Sequence, residues 1–535
     1  MKRSPSGHRA QLISTASVFV LALSATISLP AVRGSAPAPV PDAAKVGYRA
    51  IDSKDMEAFL RFIASDELEG RETGTRGLKV GARFLEVQYE LAGLKPVPGH
   101  DSMLQPFSVD ESVISSASTI AVDGGSHQHH SFNNFQDFVV LSQYSENVQA
   151  EMPVVFVGYG IKDEHRDDYA NFDAAGKLPL VLDGSPELQK LRGGSNPGFQ
   201  RKLRTMRRSK AKWASAAGAA GIVHINPDMT AETIARFRRF LERPRQRLTG
   251  SPSDIHQLIV TAQVADVLLS KNNLTVAKLL EKSDAGKSKH ATLKTKIKLD
   301  LQVSAQTKWS QNVVAYLEGS DPQLKNEVVV FGAHYDHIGK RPNGDIYNGA
   351  DDDGSGTVGM LEIARAFASN DTRPKRSLLF VSHAGEEKGL LGSRFYTDNP
   401  WVPLEQTIAQ LNIDMIGRND PNSVYIIGSN FLSKELHQIN VAANQTVGLN
   451  LDYKYNDLAD PNRFYYRSDH YNYAKHGIPI IFYFSGTHED YHQPTDTVDK
   501  INFAKMTKVA QLVYLTGWEL ANLDHHLAKD GLLLE

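Results

Sequence analysis

The sequence predicts an α/β protein: a mixed, largely parallel sheet sandwiched by helices, with an inserted β-rich domain. Three observations predict it. After residue 305, short apolar runs alternate with segments of helical periodicity, the pattern of strands joined by helical crossovers. Residues 115–300 instead carry short β-like runs separated by Gly, Asp, Asn and Pro turns, and residues 55–97 read as two amphipathic helices. A length of 535 residues allows two to four domains of ordinary size.

At the N-terminus, Lys2, Arg3 and Arg9 precede an uncharged stretch over 10–32 centred on Val18, Phe19, Val20 and Leu21. A positive segment before an apolar one reads as a secretory signal over 1–36, with small residues near Gly34, Ser35 and Ala36 for cleavage. Ser24, Ser28 and Pro30 interrupt the apolar block, so an uncleaved anchor is the weaker alternative. Export to a periplasm or outside the cell follows, and no later segment has the roughly 18 consecutive apolar residues of a membrane span.

In the first helical stretch Met56, Phe59, Leu60 and Ile63 share one face, and Val80, Phe84, Val87 and Leu91 share another before Gly93 and Pro96 stop the pattern. The middle region offers strands at 154–157, 178–182, 221–225 and 257–260, with one Ala-rich helix near 210–220. The last region offers strands at 312–317, 327–333, 377–382, 410–415, 424–427 and 479–484, with helices at 354–369, 433–447 and 503–523.

Composition narrows the chemistry. A net charge of −2 removes the global attraction on which a nucleic-acid binder depends, so none is expected as a partner. The absence of cysteine removes disulfides, thiolate metal sites and cysteine nucleophiles together, so a metal would be held by His, Asp and Glu. Those residues gather at strand ends: His334, Asp336 and His337; Asp351, Asp352 and Asp353 in a helix-opening turn; His383, Glu386 and Glu387; Asp414; His488 and His492. Ligands in such sheets sit beyond the carboxyl ends of the strands. Singly, each feature has an ordinary explanation as a cap, a hydrogen-bonding histidine or a solvated acid. Their recurrence at the same end of consecutive strands points to divalent cations, which would neutralise acids that otherwise repel one another.

These segments resemble the zinc aminopeptidase family that also holds glutamate carboxypeptidase and glutaminyl cyclase, peptidase family M28. The resemblance covers about 305–525 and extends to the opening helices through Asp66–Arg71; with the signal peptide over 1–36, the expected plan is an N-terminal helical part of the peptidase domain over 45–114, an insert over 115–300 and a dizinc catalytic domain over 305–525. Gly158–Ile161, Asp168, Tyr169 and residues 176–182 resemble the protease-associated domain often inserted in these enzymes.

By the same resemblance, His334 and Asp414 would bind one zinc, Glu387 and His492 the other, and Asp352 would bridge them through a turn with a cis Asp352–Asp353 bond. Manganese and cobalt suit the same donors. Asp336 matches the carboxylate that orients His334, and Glu386 matches the general base for a water activated between two ions. Tyr465 matches the tyrosine that stabilises the oxyanion, with Phe464 and Tyr466 as neighbours that leave a packing role open.

The activity this implies is release of N-terminal residues from peptides. A carboxypeptidase or dipeptidase remains a competing reading through Arg463 and Arg467, glutaminyl cyclisation a weaker one, and a non-catalytic receptor-like protein the weakest. His337 and His383 match no ligand position and are expected to pack or to orient ligands. The basic runs over 201–212 and 236–247, and the histidines over 127–130, are expected to be solvated surface, and oligomeric state is left open.

Overall fold

The computed structural model describes residues 38–123, 129–189, 197–251, 255–284 and 290–533. The signal region over 1–36 and His127 lie outside them. Among the described residues, no helix is long and apolar enough to cross a membrane.

Four strands form the centre of a nine-stranded sheet: Ile480–Phe484, Thr407–Ile413, Val328–His334 and Ser377–His383, adjacent in that order and parallel throughout. Every residue in them is buried. Strands covered on both faces read as unbroken apolar runs, which is why the sequence marks them so clearly. Period two then divides their side chains between two cores. Val329, Phe331, Phe380, Leu411 and Tyr483 join Met56, Leu60, Phe367 and Trp518 on one face, while Val330, Leu379, Val381 and Phe482 join Tyr396, Phe431 and Tyr473 on the other. The first core is closed by the helices Ser53–Ile63, Arg76–Leu91, Gly356–Ser369 and Phe503–Asn522.

On both sides the four central strands meet antiparallel neighbours. Ser423–Ile427 pairs with Ile480–Phe484, and the long strand Val303–Leu317 joins Ser377–His383 to Leu104–Ile114. Leu104–Ile114 and Val303–Leu317 run side by side along eleven paired positions, leading from the main sheet to the insert. The insert builds an eight-stranded sheet of its own, in which Val148–Phe156, Leu178–Leu182, Gly221–Ile225 and His256–Val260 are parallel neighbours. Its composition is less purely β than expected, because Ala231–Leu241, Ala262–Ser270 and Val276–Asp284 are helices beside the anticipated one, Pro197–Ala216. One segment of the insert, Arg245–Leu248, returns to pair with the outer edge of the main sheet.

The anticipated basic surface over 201–212 contributes two inward cations. Arg207 Nε donates to Asp183 Oδ1 at 2.9 Å, and Lys210 Nζ donates to the Leu182 carbonyl at 2.7 Å. Beside them His224 is fully buried, and burial pushes its imidazole down to about 3. Burial also opposes the Asp183 charge, but Arg207 outweighs it and holds the carboxyl below its usual value. Both groups have a lower value folded than unfolded, so their stability is present at neutral pH and is lost as the pH falls, from about 6.5 towards 3 for His224. Full protonation of His224 would cost roughly 5 kcal/mol. His224→Leu should therefore flatten the decline of the urea midpoint between pH 6.5 and 4; an unchanged slope would contradict this.

Candidate metal centre

The carboxyl ends of the four parallel strands converge with two loops on one pocket. Arg71 braces the convergence from beneath: fully buried, it donates to the carbonyls of Ile63, Tyr335, Asn348 and Gly349 at 2.5 to 3.0 Å. Gly349 has φ +56°, and a Cβ there would lie 2.5 Å from the His337 ring and 2.2 Å from the Asp352 carbonyl, so only glycine fits this turn.

The three consecutive aspartates divide the work. Asp351 accepts from Gly417 N at 2.7 Å and from Ser355 Oγ at 3.0 Å, and Asp353 accepts from the backbone amides of His334, Gly356 and Met415 at 2.9 to 3.1 Å. Both tie strand ends together. Asp352 follows a different course, reaching the Asp353 peptide through a cis bond, with its own amide donating to Asp496 at 3.1 Å. Its side chain faces both halves of the site: Oδ1 lies 3.3 Å from His334 Nε2, and Oδ2 lies 3.0 Å from His492 Nε2.

Two nests of donors result. In one, Asp414 Oδ1 stands 3.7 Å from His334 Nε2 while its other oxygen accepts from Ser468 Oγ at 2.6 Å. In the other, Glu387 Oε1 stands 3.3 Å from His492 Nε2 and 2.8 Å from His337 Nδ1. Asp336 supports the first nest. The His334 Nδ1 atom is 3.1 Å from its carbonyl and 3.7 Å from its carboxylate, which also accepts from Thr73 Oγ1 and from the Glu386 amide at 3.0 Å. The Glu386 carboxylate lies 3.9 Å from His334 Nε2.

The electrostatics call for cations. Burial opposes the charge on His334, yet the carboxylates of Glu386 and Asp414 raise it well above its usual value. Burial likewise opposes His492, and Asp352 and Glu387 push it up to about 10. Burial raises Glu386 well above the carboxylate range against the opposing pull of His334, and Glu387 and Asp414 add to the rise.

Among the described residues, several buried donor atoms, including Asp352 Oδ2, Glu387 Oε1 and both His337 nitrogens, lack an aligned hydrogen bond even where they approach one another. Lone pairs that converge without an aligned proton between them fit a metal ion. His334, Asp353 and Asp414 form one such group, and His337, Asp352 and Glu387 form a second; the oxygens of Asp353 also accept three amides.

The first nest opens on a pocket whose polar wall carries His334, Asp352, Glu386 and Asp414. Met415, Phe464, Phe482 and Phe484 make the apolar wall, with Arg467, Thr487 and Tyr491 at the rim. Tyr465 does not line this pocket: it packs in the aromatic core against Phe431, Tyr466 and Tyr471. Tyr491, which the sequence did not single out, stacks on His492 with ring centroids 3.9 Å apart, and its hydroxyl accepts from Arg467 Nη2 at 3.0 Å. Arg463 is exposed and stacks on Tyr466 instead. His383 is buried beside Tyr473, whose hydroxyl is 3.3 Å from its Nε2, in keeping with a packing role.

Comparison with known proteins agrees with this geometry. The chain is 33% identical over 211 residues to a probable leucine aminopeptidase of Trichophyton verrucosum, covering 37% of this chain and 56% of that protein. It is 31% identical over 176 residues to leupeptin-inactivating enzyme 1 of Streptomyces exfoliatus, covering 33% of this chain and 36% of that one. The chain thus spans about half the length, or less, of these curated relatives. An aminopeptidase from Aneurinibacillus sp. strain AM-1 shares the fold, with a TM-score of 0.53 at 20% identity over 91% of this chain and 98% of that one. Residues 312–516, which contain every donor of both nests, match the model of peptidase family M28.

Proposed function

We propose that the chain is an exported aminopeptidase that binds two zinc ions and hydrolyses the first peptide bond of peptides with an apolar N-terminal residue. The observation that carries this reading is the Asp352 carboxylate set between two donor nests, one of which opens on a pocket with Glu386 in its polar wall and aromatic side chains in its apolar one. His334, Asp352 and Asp414 would hold one ion, and Asp352, Glu387 and His492 the other. Manganese or cobalt could occupy the same donors. Such ions, when bound, act as Lewis acids and lower the pKa of water to about 7. The export half of the reading rests on the positive-then-apolar pattern of residues 1–36.

The chain's own groups then divide the task. Met415, Phe464, Phe482 and Phe484 receive the side chain of the first residue. The carboxylates around them suit its ammonium group, whereas a substrate carboxylate at that depth would meet several acids of its own charge. Asp336 fixes both the His334 ring and the Glu386 turn through its contacts to each. Glu386 takes the proton of the attacking water and returns it to the leaving amine, a role worth about 10² to 10⁴ in rate. Since its hydroxyl accepts from Arg467, Tyr491 keeps its own proton to donate towards a developing oxyanion. We therefore place the oxyanion role on Tyr491 rather than Tyr465. Loss of such a donor costs about 10² to 10³ in kcat.

A panel of free-amine and N-acetylated chromogenic substrates tests the reading. Leucyl and methionyl substrates with a free amine should turn over, and N-acetylated ones should not; cleavage of blocked dipeptides alone would favour the carboxypeptidase reading, in which Arg467 holds the carboxylate. In the same assay Tyr491→Phe should lower kcat about a hundredfold, and Tyr465→Phe should change it little.

A further inference from the structure

His337 matches no ligand position of the family resemblance, yet it is buried as deeply as His334. Among the described residues its Nε2 has no hydrogen-bond partner, an expensive condition for a polar ring at zero exposure, and its Nδ1 faces a carboxylate without an aligned hydrogen bond. Nδ1 points at the second nest, 2.8 Å from Glu387 Oε1 and 4.0 Å from Asp352 Oδ2. The ring meets that of His492 edge-on, at 5.8 Å between centroids.

We propose that His337 is a third imidazole ligand of the metal centre, joining Asp352, Glu387 and His492 on the second ion. This rests on the reading that the two nests hold divalent cations. Ligand atoms about 2.0 to 2.1 Å from a tetrahedral zinc stand about 3.3 Å from one another. The gaps of 2.8, 3.0, 3.3 and 4.0 Å among His337, Glu387, Asp352 and His492 scatter around that spacing. The donor atoms of His337, Asp352 and Glu387 all lie within 4.8 Å of one another, so one ion could reach all three.

The surroundings hold the ring for that purpose. Its backbone amide donates to the Arg71 carbonyl at 3.2 Å, and Gly349 leaves the space its ring fills. Arg71 in turn donates to the Gly349 carbonyl, so both sides of the slot are tied to one buried cation. The two ions would then differ: one has a single imidazole and faces the pocket, and the other has two imidazoles.

X-ray absorption at the zinc edge separates ligation from simple hydrogen bonding to Glu387. With the full chain loaded to two zinc ions, three imidazoles shared by two ions are expected, and a fit to two would overturn the proposal. His337→Gln, which keeps an N–H to offer Glu387, should lower the fitted imidazole contribution by about a third once zinc is restored by excess; an unchanged contribution would also overturn it. The wild-type spectrum decides by itself if the variant does not fold. A wild-type chain that takes up no zinc would remove the metal reading as well, a failure distinct from two bound ions with two imidazoles.

Discussion

Glu386→Gln should leave zinc content unchanged and reduce kcat on a leucyl substrate by about 10³, within the range for loss of a general base. The substitution keeps the side chain's size and its amide contact to Asp336, which uses the backbone and not the carboxylate. It removes only the group able to shuttle a proton. Glu386 stands 3.9 Å from His334 Nε2, against 3.3 Å for Asp352, and is the natural candidate to remain uncoordinated in the wall of the pocket. KM should change little, because the apolar wall is untouched. Activity within tenfold of wild type would remove Glu386 from the proton-transfer role.

Asp352→Asn should have the largest effect on metal binding. Its two oxygens face different nests, so a single substitution weakens both, whereas His492→Gln should weaken chiefly one. An amide of the same shape keeps the backbone contacts, including the Asp352 amide to Asp496, and loses the charge shared between the ions. Zinc affinity should fall at least a hundredfold, the upper end of what disturbing a ligand's support costs, and turnover should fall below about 1%. Equilibrium dialysis against graded free zinc checks it. Retention of one ion at wild-type affinity would show that Asp352 does not bridge.

What the sequence makes legible follows from how each element is buried. The central strands announce themselves because burial on both faces leaves no polar positions, as in Val328, Val329, Val330 and Phe331. The helix Gly356–Ser369 is marked by its glycine-rich opening and apolar period. Leu104–Ile114 is less visible: its burial alternates and then drifts, since its register is set by a distant strand and by Arg245–Leu248. The helix Leu391–Asp398 and the extra helices of the insert are short or rich in polar residues, and their positions depend on packing that local periodicity does not report.

The site divides in the same way. The ligand candidates fall at strand ends in a recognisable order, so they could be named one by one. His337 belongs to no motif, and its proximity to Glu387 arises only when the loop after one strand folds over the next. Its place three residues after His334 was the one available signal. For the aromatic donor, Phe464, Tyr465 and Tyr466 are adjacent in sequence, and only the turn of the backbone decides that Phe464 faces the pocket while Tyr465 enters the core. Tyr491 lies beside His492 in the chain, and its stacking on that ring is a tertiary fact.

The converging acids and imidazoles are expected to hold metal, and hydrolysis to depend on it. Zinc content by mass spectrometry, measured alongside leucyl-substrate turnover through chelation and zinc restoration, tests it most directly. Two zinc ions per chain, with turnover lost on their removal and recovered on their return, is the predicted result; undiminished turnover in a chain stripped of divalent metal would contradict it.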